Sequence, residues 1–208
     1  MPTALTLSKS RIEALSDGVF SIAMTLLVLK LEVPAVDHHA SNHDMLRQLL
    51  DETPAFLSFV GTFLVSAAFW LLHHLTFHFV RHVSRTLCWI NLVFLMFVSL
   101  LPFSAGMMGH LFIHPVSQYF YFGNLLALAL LLNLHWHFAR HRGMAAADPA
   151  DLHARGLTYR IAAFAVGFAA ALAVSIWEPR LSAVGFLLAV AAGAIAERAL
   201  RNRALRRA

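Results

Sequence analysis

Apolar and polar positions divide this chain into long blocks. Five stretches contain no Asp, Glu, Lys or Arg: 18–29, 53–80, 86–139, 161–177 and 181–196. The third holds 54 residues. At about 1.5 Å per residue it would make one helix far longer than a bilayer is thick, so it must turn back. Pro102, Gly106, Gly109 and Pro115 mark the place. The pattern therefore predicts an all-α membrane protein with six spanning helices, over about residues 10–33, 53–80, 86–109, 116–139, 158–177 and 181–200. We read residues 1–208 as a single six-helix domain.

Composition fits that class. Of the 208 residues, 59% are hydrophobic and 13% charged, against about 25% charged in a soluble domain. Mean hydropathy is +0.67. The one cysteine, Cys88, permits no intrachain disulfide. The net charge of +5 does not point to nucleic acid, because the basic residues flank apolar segments instead of forming a patch of their own. With six spans both termini lie on one side, which then carries thirteen of the sixteen Lys and Arg residues. By the positive-inside bias that side is cytoplasmic. Lys30, Arg47 and Arg180 fall on the other side, where the first loop is acidic. The last two spans are short, joined by a tight turn at Glu178, Pro179 and Arg180, and rich in Ala and Gly, which suits ordinary bundle packing.

The first span is the unusual one. Its uncharged run covers only about 18 Å of a core about 30 Å thick. Yet the helical pattern continues from Ser10 to Val33, where Pro34 ends it. Asp17 and Lys30 then lie near or within the hydrocarbon level, and ionisable residues there face protein or water. Ile22, Leu26, Leu29 and Val33 form one stripe, with Ser21 and Thr25 on the adjacent one and Asp17 a turn below. Such a stripe either faces lipid or forms a hydrophobic constriction in a pore.

Residues 11–34 closely resemble the first helix of the bacterial transmembrane-protein-175 potassium channels, relatives of the endo-lysosomal potassium channel. Arg11, Ser16 and Asp17 match that family's signature, with Leu15 in place of its Phe. Trp70, His73, His74, Asn91, Pro102, Phe103, Gly106 and Gly109 match further on. The resemblance implies a homotetramer around a pore lined by the first helix. It implies a constriction at Ile22, Leu26 and Leu29, with Thr25 a polar position beside it. The implied function is passive, potassium-preferring cation conduction in the bacterial plasma membrane, with no cofactor besides the permeant ion. Partners are other copies of the chain, the lipid bilayer and monovalent cations. No carbonyl filter sequence, repeated-Arg voltage sensor or nucleotide loop is present.

Polar groups share the depth of the first helix's start. Arg11, Ser16, Asp17, Trp70, His73, His74 and Asn91 all fall there. Buried polar groups need partners, so a network of Arg11, Asp17, His74 and Asn91 is expected to fix the first helix against the next two. The thirteen histidines open an alternative. His74 and His78, and His137 and His141, are spaced i, i+4, as metal or haem ligands of a membrane oxidoreductase would be. A small secondary transporter is a further alternative, but it would want an internal repeat that the sequence does not show.

Overall fold

The computed structural model describes residues 8–33, 41–112, 114–145, 152–178 and 181. Among them, seven α-helices and one 3₁₀ turn follow in order: α1 (Lys9–Leu26), the 3₁₀ turn (Leu27–Lys30), α2 (Asn42–Asp51), α3 (Thr53–Phe79), α4 (Arg85–Ser99), α5 (Leu101–His110), α6 (Pro115–His141) and α7 (Leu152–Trp177). Taking α1 with its 3₁₀ turn, and α4 with α5, five segments are long and apolar enough to cross a membrane. The expected sixth span, at 181–200, lies outside the described residues apart from Leu181, and so does the turn at Pro179 and Arg180.

Three boundaries differ from the sequence reading. The first helix is not α-helical to Val33. It tightens at Leu27 and is extended by Leu31. The third span is interrupted at Leu100, and Pro102 stands in the first turn of α5. Proline brings no amide hydrogen and crowds the preceding turn, so a new helix starts there. The reversal of direction comes later, between His110 and Pro115, and Pro115 opens α6. The last described helix begins at Leu152, earlier than 158, because its first turns carry Arg155 and Arg160, which a charge-free window passes over.

α2 was not anticipated within the acidic loop. Its first turn is closed by a capping box. The Ser41 hydroxyl accepts from the Asp44 amide at 3.2 Å and donates to Asp44 Oδ2 at 2.6 Å, and the Ser41 amide reaches the same oxygen at 3.2 Å. These bonds, the hydroxyl's first, hold the Asp44 carboxyl below its ordinary range.

Between apolar helices in lipid, small residues and polar ties do the joining. Thr62 of α3 bonds Tyr121 of α6 at 2.9 Å, and Ser58 donates to the Ala105 carbonyl of α5 at 2.8 Å. Asn124 donates to Ser104 at 3.2 Å. Trp136 of α6 donates to Thr158 of α7 at 2.8 Å. The buried core runs through Phe69, Phe94 and Phe168, with Phe69 and Phe168 stacked at 5.8 Å. At the end where α1 starts, Arg81 donates its amide to the Met144 carbonyl at 2.8 Å, tying the α3–α4 loop to the end of α6.

α5 meets α3 closely at Gly109, where an added Cβ would stand 3.0 Å from Ala55 Cα. That atom is backbone and cannot step aside. Gly109→Val is therefore expected to lower the detergent melting temperature by several degrees. Gly123→Ala, where a Cβ meets nothing within 4 Å, should leave it within a degree or two. Equal melting curves for the two variants would show that the α3–α5 approach is not tight.

Candidate functional site: the open face of the first helix

α1 has two faces. Ile12, Ser16, Phe20, Ala23 and Leu27 recur every three or four residues and are buried, packed against α3, α4 and α5. The other face carries Ile22, Leu26 and Leu29, which are 61%, 42% and 71% exposed. Ser21 and Thr25 lie beside them, also exposed. Thr25 turns its hydroxyl proton to its own helix, at 2.9 Å from the Ile22 carbonyl and 3.0 Å from that of Ser21. Its oxygen lone pairs remain on the open side.

The 3₁₀ turn changes the geometry of this stripe. With three residues per turn, side chains at i and i+3 eclipse, so Leu29 stands directly beyond Leu26. The rise per residue grows to about 2.0 Å. Eighteen α-helical residues and four 3₁₀ residues then reach about 35 Å. This is how a segment with a short uncharged run can cross a core about 30 Å thick. Asp17 and Lys30 are brought inside that length.

Two adjacent ties hold the start of α1. The Ser16 hydroxyl donates to the Ile12 carbonyl at 2.8 Å, so its oxygen is free to accept Asn91 Nδ2 of α4 at 3.2 Å. Asn91 Oδ1 then faces His73 Nε2 of α3 at 2.7 Å. Because Oδ1 can only accept, Nε2 carries the proton, which sets the tautomer of a neutral His73. His73 and Asn91 are buried. The His73 ring stacks on Phe94 at 5.4 Å and touches Phe77 at 4.7 Å. The second tie is Trp70 Nε1 donating to Asp17 Oδ1 at 2.8 Å.

Four of the residues expected in one network are therefore arranged differently. Asp17 takes its hydrogen bond from Trp70 instead of Arg11 or His74. His74 stacks on the Trp70 ring at 5.8 Å. Arg11 is exposed, and no hydrogen bond or ion pair joins it to these groups among the described residues. Asn91 belongs to the Ser16 and His73 chain.

The far end of α1 is also fastened, by groups the sequence did not single out for this role. His110 Nε2 of α5 lies 3.0 Å from the Lys30 carbonyl, where the ring nitrogen donates. The Lys30 stem runs over Gly106, with its Cδ 3.1 Å from where a Cβ would stand. A bond to a backbone carbonyl leaves no mark on the sequence at Lys30. The only signal was the pair of glycines. Among the described residues, no three His, Cys, Asp or Glu side chains are grouped to hold a metal ion.

The sequence model of the endosomal/lysosomal potassium channel TMEM175 matches residues 11–102, which include most of α1 and the two ties at its start. A potassium channel of Chamaesiphon minutus is 35% identical over 147 residues, covering 69% of this chain and 71% of that protein. The chain belongs to the TMEM175 family. The crystal structure of a lysosomal potassium-selective channel TMEM175 homologue from Chamaesiphon minutus superposes with a TM-score of 0.75 at 31% identity, covering 91% of this chain and 97% of that one. The endosomal/lysosomal proton channel TMEM175 of Bos taurus is 38% identical over 101 residues, 46% of this chain but 21% of that longer protein. With five segments able to cross a membrane and bacterial potassium channels as relatives, the chain is a multi-pass membrane protein.

Proposed function

We propose that this chain is one subunit of a potassium-preferring cation channel. Four copies place their α1 open faces around a central axis, and Ile22, Leu26 and Leu29 each form an apolar ring there. The observation that carries this reading is the unpacked apolar stripe on a helix otherwise anchored at both ends. One subunit supplies one such helix, so a pore lined by it needs several copies. The family's potassium channels support the choice of ion, and the superposition supports the fold of the subunit.

In this reading each ring offers an ion no substitute for its water, so it stops flow by dewetting when tight and sieves when slightly wider. Potassium holds its water less tightly than sodium and crosses at lower cost, which yields a modest preference. Ser16, Asn91, His73, Asp17 and Trp70 serve as the structural ties that hold the rings on axis. Arg11 and His74 flank them. The loop acids Glu32, Asp44, Asp51 and Glu52 lie beyond the far end of α1 and raise the local cation concentration. The cluster of basic residues at the start of α1 and the end of α6 supports a cytoplasmic placement of the N-terminus.

Purified protein in planar bilayers under a potassium/sodium gradient tests this. Passive conduction with a reversal potential displaced toward the potassium equilibrium value is expected. A membrane that remains electrically silent, or a reversal potential at zero, would remove the potassium-channel reading.

A further inference from the structure

α2 lies between the first and second spans, and its apolar residues have no part in the pore. A capping box closes the first turn of this ten-residue helix. Around its axis Met45, Leu46, Leu49 and Leu50 fall within about 140°, and His43, Asp44, Arg47, Gln48 and Asp51 occupy the opposite side. All four apolar side chains are exposed, and no residue of α2 is buried. Only Glu52 separates α2 from α3, so α2 sits at the depth where the second span enters the bilayer. Phe56, Leu57 and Val60, in the first turns of α3, are exposed and apolar as well.

From this placement we infer that α2 is an interfacial helix. Its Met45, Leu46, Leu49 and Leu50 face lies at the boundary of headgroups and acyl chains, in the leaflet opposite the N-terminus. An amphipathic helix held at the membrane surface meets acyl chains on its apolar side and water on its polar side. Its charges, Arg47 against Asp44 and Asp51, give no net positive pull toward anionic lipid. Apolar burial therefore seats it, and lipid charge does not. The inference needs the spans but not ion conduction.

Nitroxide labels report the seating on the full-length protein. With Cys88→Ala as background, single sites Leu46→Cys, Leu49→Cys, Arg47→Cys and Asp51→Cys are labelled and reconstituted in phosphatidylcholine vesicles. Collision with oxygen, which concentrates in lipid, is compared with collision with a water-soluble nickel chelate. The labels at 46 and 49 should show an oxygen-to-nickel ratio several-fold above those at 47 and 51. The contrast should persist when phosphatidylglycerol is added. Equal nickel access at all four sites would place α2 in water and overturn the inference. Labels at 46 and 49 shielded from both reagents and broadened by neighbouring spins would assign the face to a second copy of the chain. A contrast seen only with phosphatidylglycerol would make the seating electrostatic, against the inference.

Discussion

Ile22→Asn and Leu26→Asn are expected to raise potassium current several-fold and to move the potassium/sodium reversal potential toward zero. An asparagine ring supplies oxygen atoms where Ile or Leu supplies none, so an ion entering it keeps partial solvation. The barrier falls for both ions, but sodium gains more because its dehydration cost is larger. Discrimination that came from that cost therefore weakens as current grows. Leu27 is the control, one residue along. It is 1% exposed and packed in the core, so Leu27→Asn buries an amide with no built partner, at a cost of about 1–3 kcal/mol in addition to lost packing. That variant should show reduced yield and heat stability, with unchanged selectivity in whatever protein survives. Altered selectivity in Leu27→Asn, with Ile22→Asn and Leu26→Asn like the parent, would turn the pore to another face of α1.

Asn91→Leu should be the most damaging single change among the ties. It strands the His73 Nε2 proton and removes the donor to Ser16, both in a buried setting where an unmade hydrogen bond costs about 1–3 kcal/mol. A melting temperature in detergent lowered by several degrees is expected, with loss of the assembled species before loss of helix. Trp70→Phe removes one bond to the half-open Asp17, and the effect should be smaller. Asp17→Ala should resemble Trp70→Phe, since the Trp70 indole lies partly at the surface and can find water. If Asn91→Leu melts like the parent while Arg11→Ala does not, the pairing described for the start of α1 is not what holds it.

Much of the fold is legible in the sequence because lipid allows few solutions. Long apolar runs must be helices, and a 54-residue run must turn. What the sequence withholds is rotation and fine pitch. His73 and His74 sit about 100° apart on α3, so only one can point at Asn91, and composition cannot say which. Trp70 lies near the face of His74, one turn earlier, which is why the two rings stack and the indole reaches Asp17. The tightening at Leu27 is invisible for a different reason. Leu, Val and Leu continue the apolar pattern through the 3₁₀ turn, and what accompanies the change is a carbonyl bond from His110, eighty positions away. α2 hides in the acidic loop because Asp44, Arg47 and Asp51 interrupt its apolar residues, which come together on one face only on a helical wheel.

Conduction along α1 requires its open face to meet the ion pathway. Silver ions bind thiolates, and they cross a potassium-conducting route. With Cys88→Ala as background, Ile22→Cys, Leu26→Cys and Leu29→Cys channels in planar bilayers should lose most of their current within seconds of micromolar silver. Ala23→Cys, on the buried face, should keep its current under the same exposure. Block confined to Ala23→Cys, or absent at all three stripe positions, would contradict the account.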